Sequence, residues 1–152
     1  FQHGNPGPEH WSAVKHILKY LRRTKEYMLI YQADELLPLG YTDSDFQADR
    51  DESKSTSGFV FTLGGGAIVW RSVKQKFVAD STMEAEYVAA SEAVKEVVWL
   101  RNFLLDLDVV SSLPAAITVF CDNSGAVANS KERRTHKASK HIERQYHPIR
   151  EI

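Results

Sequence analysis

A long helical repeat separates two strand-like runs in this chain, and that order leaves few topologies open. From Ser81 or Thr82, either of which can cap a helix, to about Asp108, the residues Ala85, Val88, Ala89, Ala93, Val97, Leu100 and Leu104 recur every three or four positions. Before it, Leu36 to Thr42 reads as a strand, and after it Ala116 to Phe120 reads as a buried strand. Strand, helix and strand in that order predict a right-handed crossover that leaves the two strands parallel. Their carboxyl ends then lie side by side at one edge of a sheet.

The remaining pattern is that of an α/β chain. Asn5-Pro6-Gly7-Pro8 is a loop, and Trp11, Val14, Ile17, Leu18 and Leu21 predict an amphipathic helix over residues 9 to 23. Tyr27 to Gln32 is rich in strand formers and predicts a strand, followed by a break at Asp34-Glu35. Asp43 through Ser57 is polar and reads as a loop. Gly58 to Leu63 and Ala67 to Trp70 flank Gly64-Gly65-Gly66 and predict a hairpin; no Lys-Ser/Thr and no helix follows, so the glycines form a turn and not a phosphate loop. Ser124 to Ser130 predicts a short helix. Ser139 to Ile152 predicts another, with Ile142, Tyr146 and Ile149 aligned and Pro148 kinking or ending it. Trp11, Trp70 and Trp99 fall on apolar faces, where core packing is expected.

The 152 residues suit a single α/β domain. No apolar run approaches the roughly 20 residues that span a bilayer, and the first residues lack a charged-then-apolar leader pattern, so neither a membrane nor secretion is expected. Cys121 is the lone cysteine and cannot close an internal disulfide, which suits a reducing intracellular setting, cytoplasmic or nuclear. A net charge of −1 gives no general attraction to nucleic acid. Residues 131 to 152, however, hold seven Lys or Arg against three Glu, net +4, and offer a local phosphate-facing stripe.

Three carboxylates stand where this topology draws them together. Asp43 follows the first strand, Asp122 follows the second, and Glu86 lies about one turn into the crossover helix. Glu84 and Asp45 are near neighbours, but Glu84 lies on a different helical face from Glu86. Taken singly each has an ordinary reading, because Asp starts turns and Asp122 before Asn123 suits a helix cap. Taken together, like charges a few ångström apart raise at least one pKa unless a cation neutralises them. An all-oxygen site favours Mg²⁺ or Mn²⁺ over Zn²⁺, and two such ions can activate a water and steady the departing oxygen in phosphodiester hydrolysis.

Gly40-Tyr41-Thr42-Asp43-Ser44-Asp45, Lys54-Ser55-Thr56-Ser57-Gly58-Phe59-Val60-Phe61, Leu63-Gly64-Gly65-Gly66-Ala67-Ile68-Val69-Trp70, Glu84-Ala85-Glu86-Tyr87, Lys95-Glu96-Val97-Val98-Trp99-Leu100-Arg101, Cys121-Asp122-Asn123 and Lys140-His141-Ile142-Glu143 closely resemble the ribonuclease H region of copia-type retrotransposon polyproteins. The stretch from His10-Trp11 to Leu21-Arg22 is similar to the segment linking reverse transcriptase to that region. The resemblance implies a connection segment over residues 1 to 35 and a ribonuclease H-like domain over 36 to 152, a mixed sheet flanked by helices. It implies an endonuclease that cuts the RNA strand of RNA·DNA hybrids, attached to a reverse transcriptase, with Asp43, Glu86 and Asp122 as ligands of two Mg²⁺ ions, or of Mn²⁺. Family members usually continue into a further strand and a helix with a fourth metal-site Asp. This chain stops at Ile152, so the expectation is that both are missing, with the Ala116 to Phe120 strand left as an edge and the second metal weakly held. Where relatives often carry Asp, this chain has Glu143, a further candidate ligand.

A hybrid-cutting enzyme reads duplex shape and the 2′-hydroxyls of one strand and neutralises the phosphates of the other. Ser44, Asn123 and Ser124 are candidates for the first task, and Arg133, Arg134, Lys137 and Lys140 for the second. His136, His141 and His147 sit in a basic segment where solvated surface is the ordinary reading. A transposase or integrase core shares the sheet logic, but its Asp, Asp, Glu order differs from Asp43, Glu86, Asp122. The reading from another class is an impaired hybrid-binding or tethering module, and a decayed structural remnant is the last.

Overall fold

The computed structural model describes residues 6–32, 36–108, 110 and 113–131. The helix expected over residues 139 to 152, Glu143, His136, His141 and His147, and the basic residues Arg133, Arg134, Lys137 and Lys140 lie outside them. The chain divides into two compact units, Phe1–Ile30 and Tyr31–Ile152.

The first unit is built on α1 (Pro8–Thr24), which starts with Pro at its first position and Glu9 in its first turn and ends with Arg22 and Arg23, matching the helix dipole at both ends. None of its residues is buried. Trp11, expected in a core, is 58% exposed with Lys15 Nζ 5.6 Å from its ring centroid, because among the described residues of its unit α1 has no second element to cover its apolar stripe. Tyr27 to Gln32 forms no strand, contrary to its composition. Within the second unit, the Gln32 N–H donates to the Gly64 carbonyl and the Tyr31 hydroxyl to the Ala67 carbonyl.

The second unit is a mixed four-stranded sheet in the order β3-β2-β1-β4. Strands β1 (Pro38–Asp49), β2 (Lys54–Leu63) and β3 (Gly66–Lys74) pair antiparallel, β4 (Thr118–Cys121) pairs parallel to β1, and helix α2 (Thr82–Asp106) makes the crossover. Helix α3 (Ser124–Lys131) follows β4. A mixed sheet flanked by helices is the arrangement that the ribonuclease H resemblance implies. Among the described residues no helix is long and apolar enough to cross a membrane.

The segment Asp43 to Ser57 is not a loop. Pairing continues through Asp43↔Gly58, Ser44↔Ser57 and Asp45↔Thr56 and, after a bulge, Asp49↔Lys54. Its alternate small residues Ser55 and Ser57 are buried, so polar composition hides a strand period of two. The hairpin turn uses Gly64 (φ 56°) and Gly65 (φ 80°), a pair of left-handed positions that suits the twist of the strands, while Gly66 already belongs to β3.

Helix α2 covers one face of the sheet. Ala93, Val97, Leu100 and Leu104 pack with Phe59, Phe61 and Ile117, and Tyr87 and Val88 pack with Ala126 of α3. Gly40 admits this packing: a Cβ there would lie 2.5 Å from Phe61 Cε1 and 3.2 Å from Val119 Cγ2. Among the described residues of this unit no helix covers the other face. Tyr41 and Phe120 stack there at 5.3 Å between ring centroids, so β4 is a half-exposed strand and not the buried one its apolar composition suggested. Trp70 (66% exposed) and Trp99 (51%) also leave the core expected for them. Trp70 pairs with Val60, in phase with the open face, and Trp99 falls off the buried stripe of α2 and stacks on Phe103.

Candidate metal centre

Parallel pairing of β1 and β4 ends at Thr42↔Cys121, so Asp43 and Asp122 are each one residue past the last pair. Adjacent strands run about 4.8 Å apart, which makes the two residues neighbours. Asp43 lies inside the long β1 and not at a strand end, because β1 continues against β2 alone. Both Asp side chains are exposed.

Glu86 reaches the same place from the first turns of α2. Ser81 caps that helix, its hydroxyl accepting the Glu84 N–H at 3.2 Å. Glu84 itself turns back to accept the Asp80 N–H, which removes it from the site. Glu86 is 6% exposed. Its Oε1 accepts the Ser44 N–H at 3.0 Å and the Ser44 hydroxyl at 2.8 Å, and the same N–H also lies 2.9 Å from Asp43 Oδ1. The other oxygen, Oε2, faces the Cys121 thiol at 3.9 Å. One ligand atom from each of Glu86, Cys121 and Asp122 falls within a 4.8 Å group.

Burial pushes the Glu86 carboxyl above its ordinary range, the two bonds from Ser44 oppose that, and the negative charges of Asp43 and Asp122 add to it. Burial likewise pushes up the Cys121 thiol, with Glu86 and Asp122 reinforcing the shift, so in the metal-free protein the sulfur keeps its proton. Among the described residues no Lys, Arg or His forms an ion pair with Asp43, Glu86 or Asp122. Three carboxylates without a cation, one of them buried, fit a hard divalent ion better than a soft one.

The other candidates divide. Ser44 spends its hydroxyl on Glu86, and Asn123 spends its side-chain oxygen on the Ala126 N–H at 3.0 Å, so Asn123 rather than Asp122 caps α3. Asp122 is thereby free of a capping role. Ser124 opens α3 and is exposed. Sequence reasoning missed Cys121 as a lining residue, although its pairing with buried Thr42 puts it in phase with the face under α2.

No protein-family model matches the chain. It is 47% identical over 148 residues, 97% of its length, to a retrovirus-related Pol polyprotein from transposon TNT 1-94 of Nicotiana tabacum, and 36% identical over 146 residues to one from transposon RE2 of Arabidopsis thaliana. It spans 11% and 10% of those proteins. A secreted RxLR effector protein 161 of Plasmopara viticola is 46% identical over 97 residues, which cover 63% of this chain and 68% of that protein. The chain is thus similar to a segment about a tenth of the length of retrovirus-related Pol polyproteins from plant transposons.

Proposed function

We propose that this chain is a ribonuclease H, a metal-dependent endonuclease that hydrolyses the RNA strand of RNA·DNA hybrids beside the reverse transcriptase of the same polyprotein, inside the cell. The observation that carries this reading is that Glu86 and Asp122 offer ligand atoms within 4.8 Å of one another while Asp43, one residue past the end of the β1–β4 pairing, shares the Ser44 N–H with Glu86, so that the buried Glu86 feels the negative charge of both Asp residues. Asp43, Glu86 and Asp122 would hold Mg²⁺, or Mn²⁺ in its place. Two such ions supply Lewis-acid stabilisation of the phosphoryl oxygens and ease deprotonation of the attacking water.

The protein's own part is to hold its carboxylates in place. Ser44 fixes Glu86 Oε1, which leaves Oε2 to face the Cys121 thiol. Asn123 fixes the first turn of α3 and with it the short link that carries Asp122. The protonated Cys121 adds no charge. Selectivity for a hybrid needs polar groups near the site that read 2′-hydroxyls and cations that meet the phosphates. Ser124 beside the site is proposed for the first, and Arg133, Arg134, Lys137 and Lys140 for the second.

The test is cleavage of a labelled RNA·DNA hybrid, set against duplex RNA and duplex DNA, with Mg²⁺, with Mn²⁺ and with chelator, using Asp43→Asn as control. Hybrid-specific, metal-dependent cutting that Asp43→Asn abolishes is the expected result. A folded protein that leaves the hybrid intact overturns the activity and makes the chain a binding module at most.

A further inference from the structure

We propose that Gln75 is a positioning residue for Glu86, an inference that rests on the metal-centre reading above. Gln75 is the first residue after β3 and is 5% exposed. Its backbone N–H donates to the Ser55 carbonyl at 2.8 Å, which pins the connection against β2. Its side-chain Nε2 has two hydrogens and uses both: one on the Ser57 hydroxyl oxygen at 2.8 Å, the other on the Ala85 carbonyl at 3.0 Å.

The Ala85 carbonyl belongs to the peptide unit whose nitrogen is that of Glu86. Gln75 therefore grips the backbone from which Glu86 projects and ties it to β2. Ser57 in turn is the register partner of Ser44, the residue that holds the Glu86 carboxylate. The links close a ring: Gln75 to Ser57, Ser57 across the ladder to Ser44, Ser44 to the Glu86 side chain, and the Glu86 peptide back to Gln75. Glu86 is held at both ends, carboxylate by Ser44 and backbone by Gln75. A carbonyl accepts two bonds, so Ala85 keeps its place in the helix ladder while receiving the amide. Burying an amide costs desolvation, and Gln75 Oε1 meets no donor among the described residues, so the Nε2 bonds are what the side chain contributes. Residues that orient ligands from behind typically change metal affinity or activity about 10- to 100-fold when removed.

The experiment measures Mn²⁺ binding to the 152-residue chain by calorimetry, together with the Mn²⁺ concentration for half-maximal hybrid cleavage. The variants are Gln75→Leu, which removes both donors; Ser57→Ala, which removes one anchor; and Val97→Ala, which weakens the core away from the amide. Gln75→Leu is expected to weaken Mn²⁺ binding about tenfold and to raise the half-maximal concentration in parallel. Ser57→Ala moves both in the same direction by less, and serves alone should Gln75→Leu not fold. Val97→Ala lowers the melting temperature and leaves Mn²⁺ binding unchanged. Parent-like Mn²⁺ binding in folded Gln75→Leu, or in Ser57→Ala if the first does not fold, overturns the positioning role while leaving the metal centre standing. A parent that binds Mn²⁺ no better than Asp43→Asn overturns the metal centre itself.

Discussion

Ser44 gives both its donors, the backbone N–H at 3.0 Å and the hydroxyl at 2.8 Å, to one and the same oxygen of Glu86. A strand residue thereby sets the orientation of a helix carboxylate 42 positions away and decides which oxygen faces the rest of the site. Bonds to an ionised carboxylate are the stronger kind, each contributing about 1.5–3 kcal/mol.

Ser44→Ala keeps the backbone bond and loses the hydroxyl. Hybrid cleavage is expected to fall about tenfold through a higher Mg²⁺ requirement, at the lower end of what support of a ligand contributes. Rates measured over a series of Mg²⁺ concentrations check this. A raised KM for hybrid at saturating Mg²⁺, with the Mg²⁺ midpoint unmoved, would instead make Ser44 a substrate contact.

Glu86 gives the metal-free protein a pH dependence of known sign. Its folded-state pKa lies above the unfolded value of about 4.3, so the neutral form contributes stability that is complete below that value and lost as pH rises through the raised one. Glu86→Gln removes the buried charge and keeps an oxygen for Ser44. In metal-free melts the variant is expected to be the more stable at neutral pH and to match the parent in acid. Saturating Mg²⁺ narrows or reverses the neutral-pH difference, because a ligand that binds only the parent's folded state stabilises only the parent. A variant less stable than the parent at neutral pH without metal would falsify this account of the site.

How far the sequence foretold these features follows from which of them have a period. Helix α2 and the Gly64-Gly65 turn were legible because a repeat of three to four residues and a pair of glycines are local signals. Convergence of Asp43 and Asp122 followed from topology, since a crossover through α2 makes β1 and β4 parallel. The Asp43 to Asp49 half of β1 was missed because its partner, not its composition, makes it a strand. Trp70 and Trp99 were misplaced for a related reason: an apolar residue has a face only once the partner of that face is known. The bonds from Ser44 to Glu86 and from Gln75 to Ala85 join elements distant along the chain, and no spacing rule reports them.

The end of the β1–β2 hairpin titrates in the opposite sense. Lys74 hydrogen-bonds to Asp49 and also pairs with Glu52 at 3.5 Å, and the hydrogen bond from Lys74 chiefly holds the Asp49 carboxyl below its ordinary range. A depressed carboxylate contributes stability above the unfolded value of about 3.9, and that stability is lost as pH falls through the lowered one. Asp49→Asn is therefore expected to melt below the parent at neutral pH, with the two curves meeting in strong acid. Melting temperatures from neutral pH down to about 2 check it; a gap that persists unchanged in acid assigns the effect to the turn's backbone bonds rather than to the charge.

Gly40 couples the core to the metal centre through β1. A methyl group there meets the Phe61 ring at 2.5 Å and the Val119 side chain at 3.2 Å, and Phe61 has no exposed surface into which to retreat. Overpacking of this kind costs about 1–3 kcal/mol. Gly40→Ala is expected to lower unfolding free energy by that amount in urea, and Phe61→Leu in the same chain to return part of it by vacating the space the methyl needs. Because Gly40 pairs with Val119 on β4, relief by displacement of β4 instead moves Asp122 away from Asp43. The two routes separate by assay: a ring that yields leaves the Mg²⁺ midpoint for hybrid cleavage in place, whereas a strand that yields raises it. Gly40→Ala with parent-like stability would show that the close approach of Gly40 to Phe61 is not what requires glycine at this position.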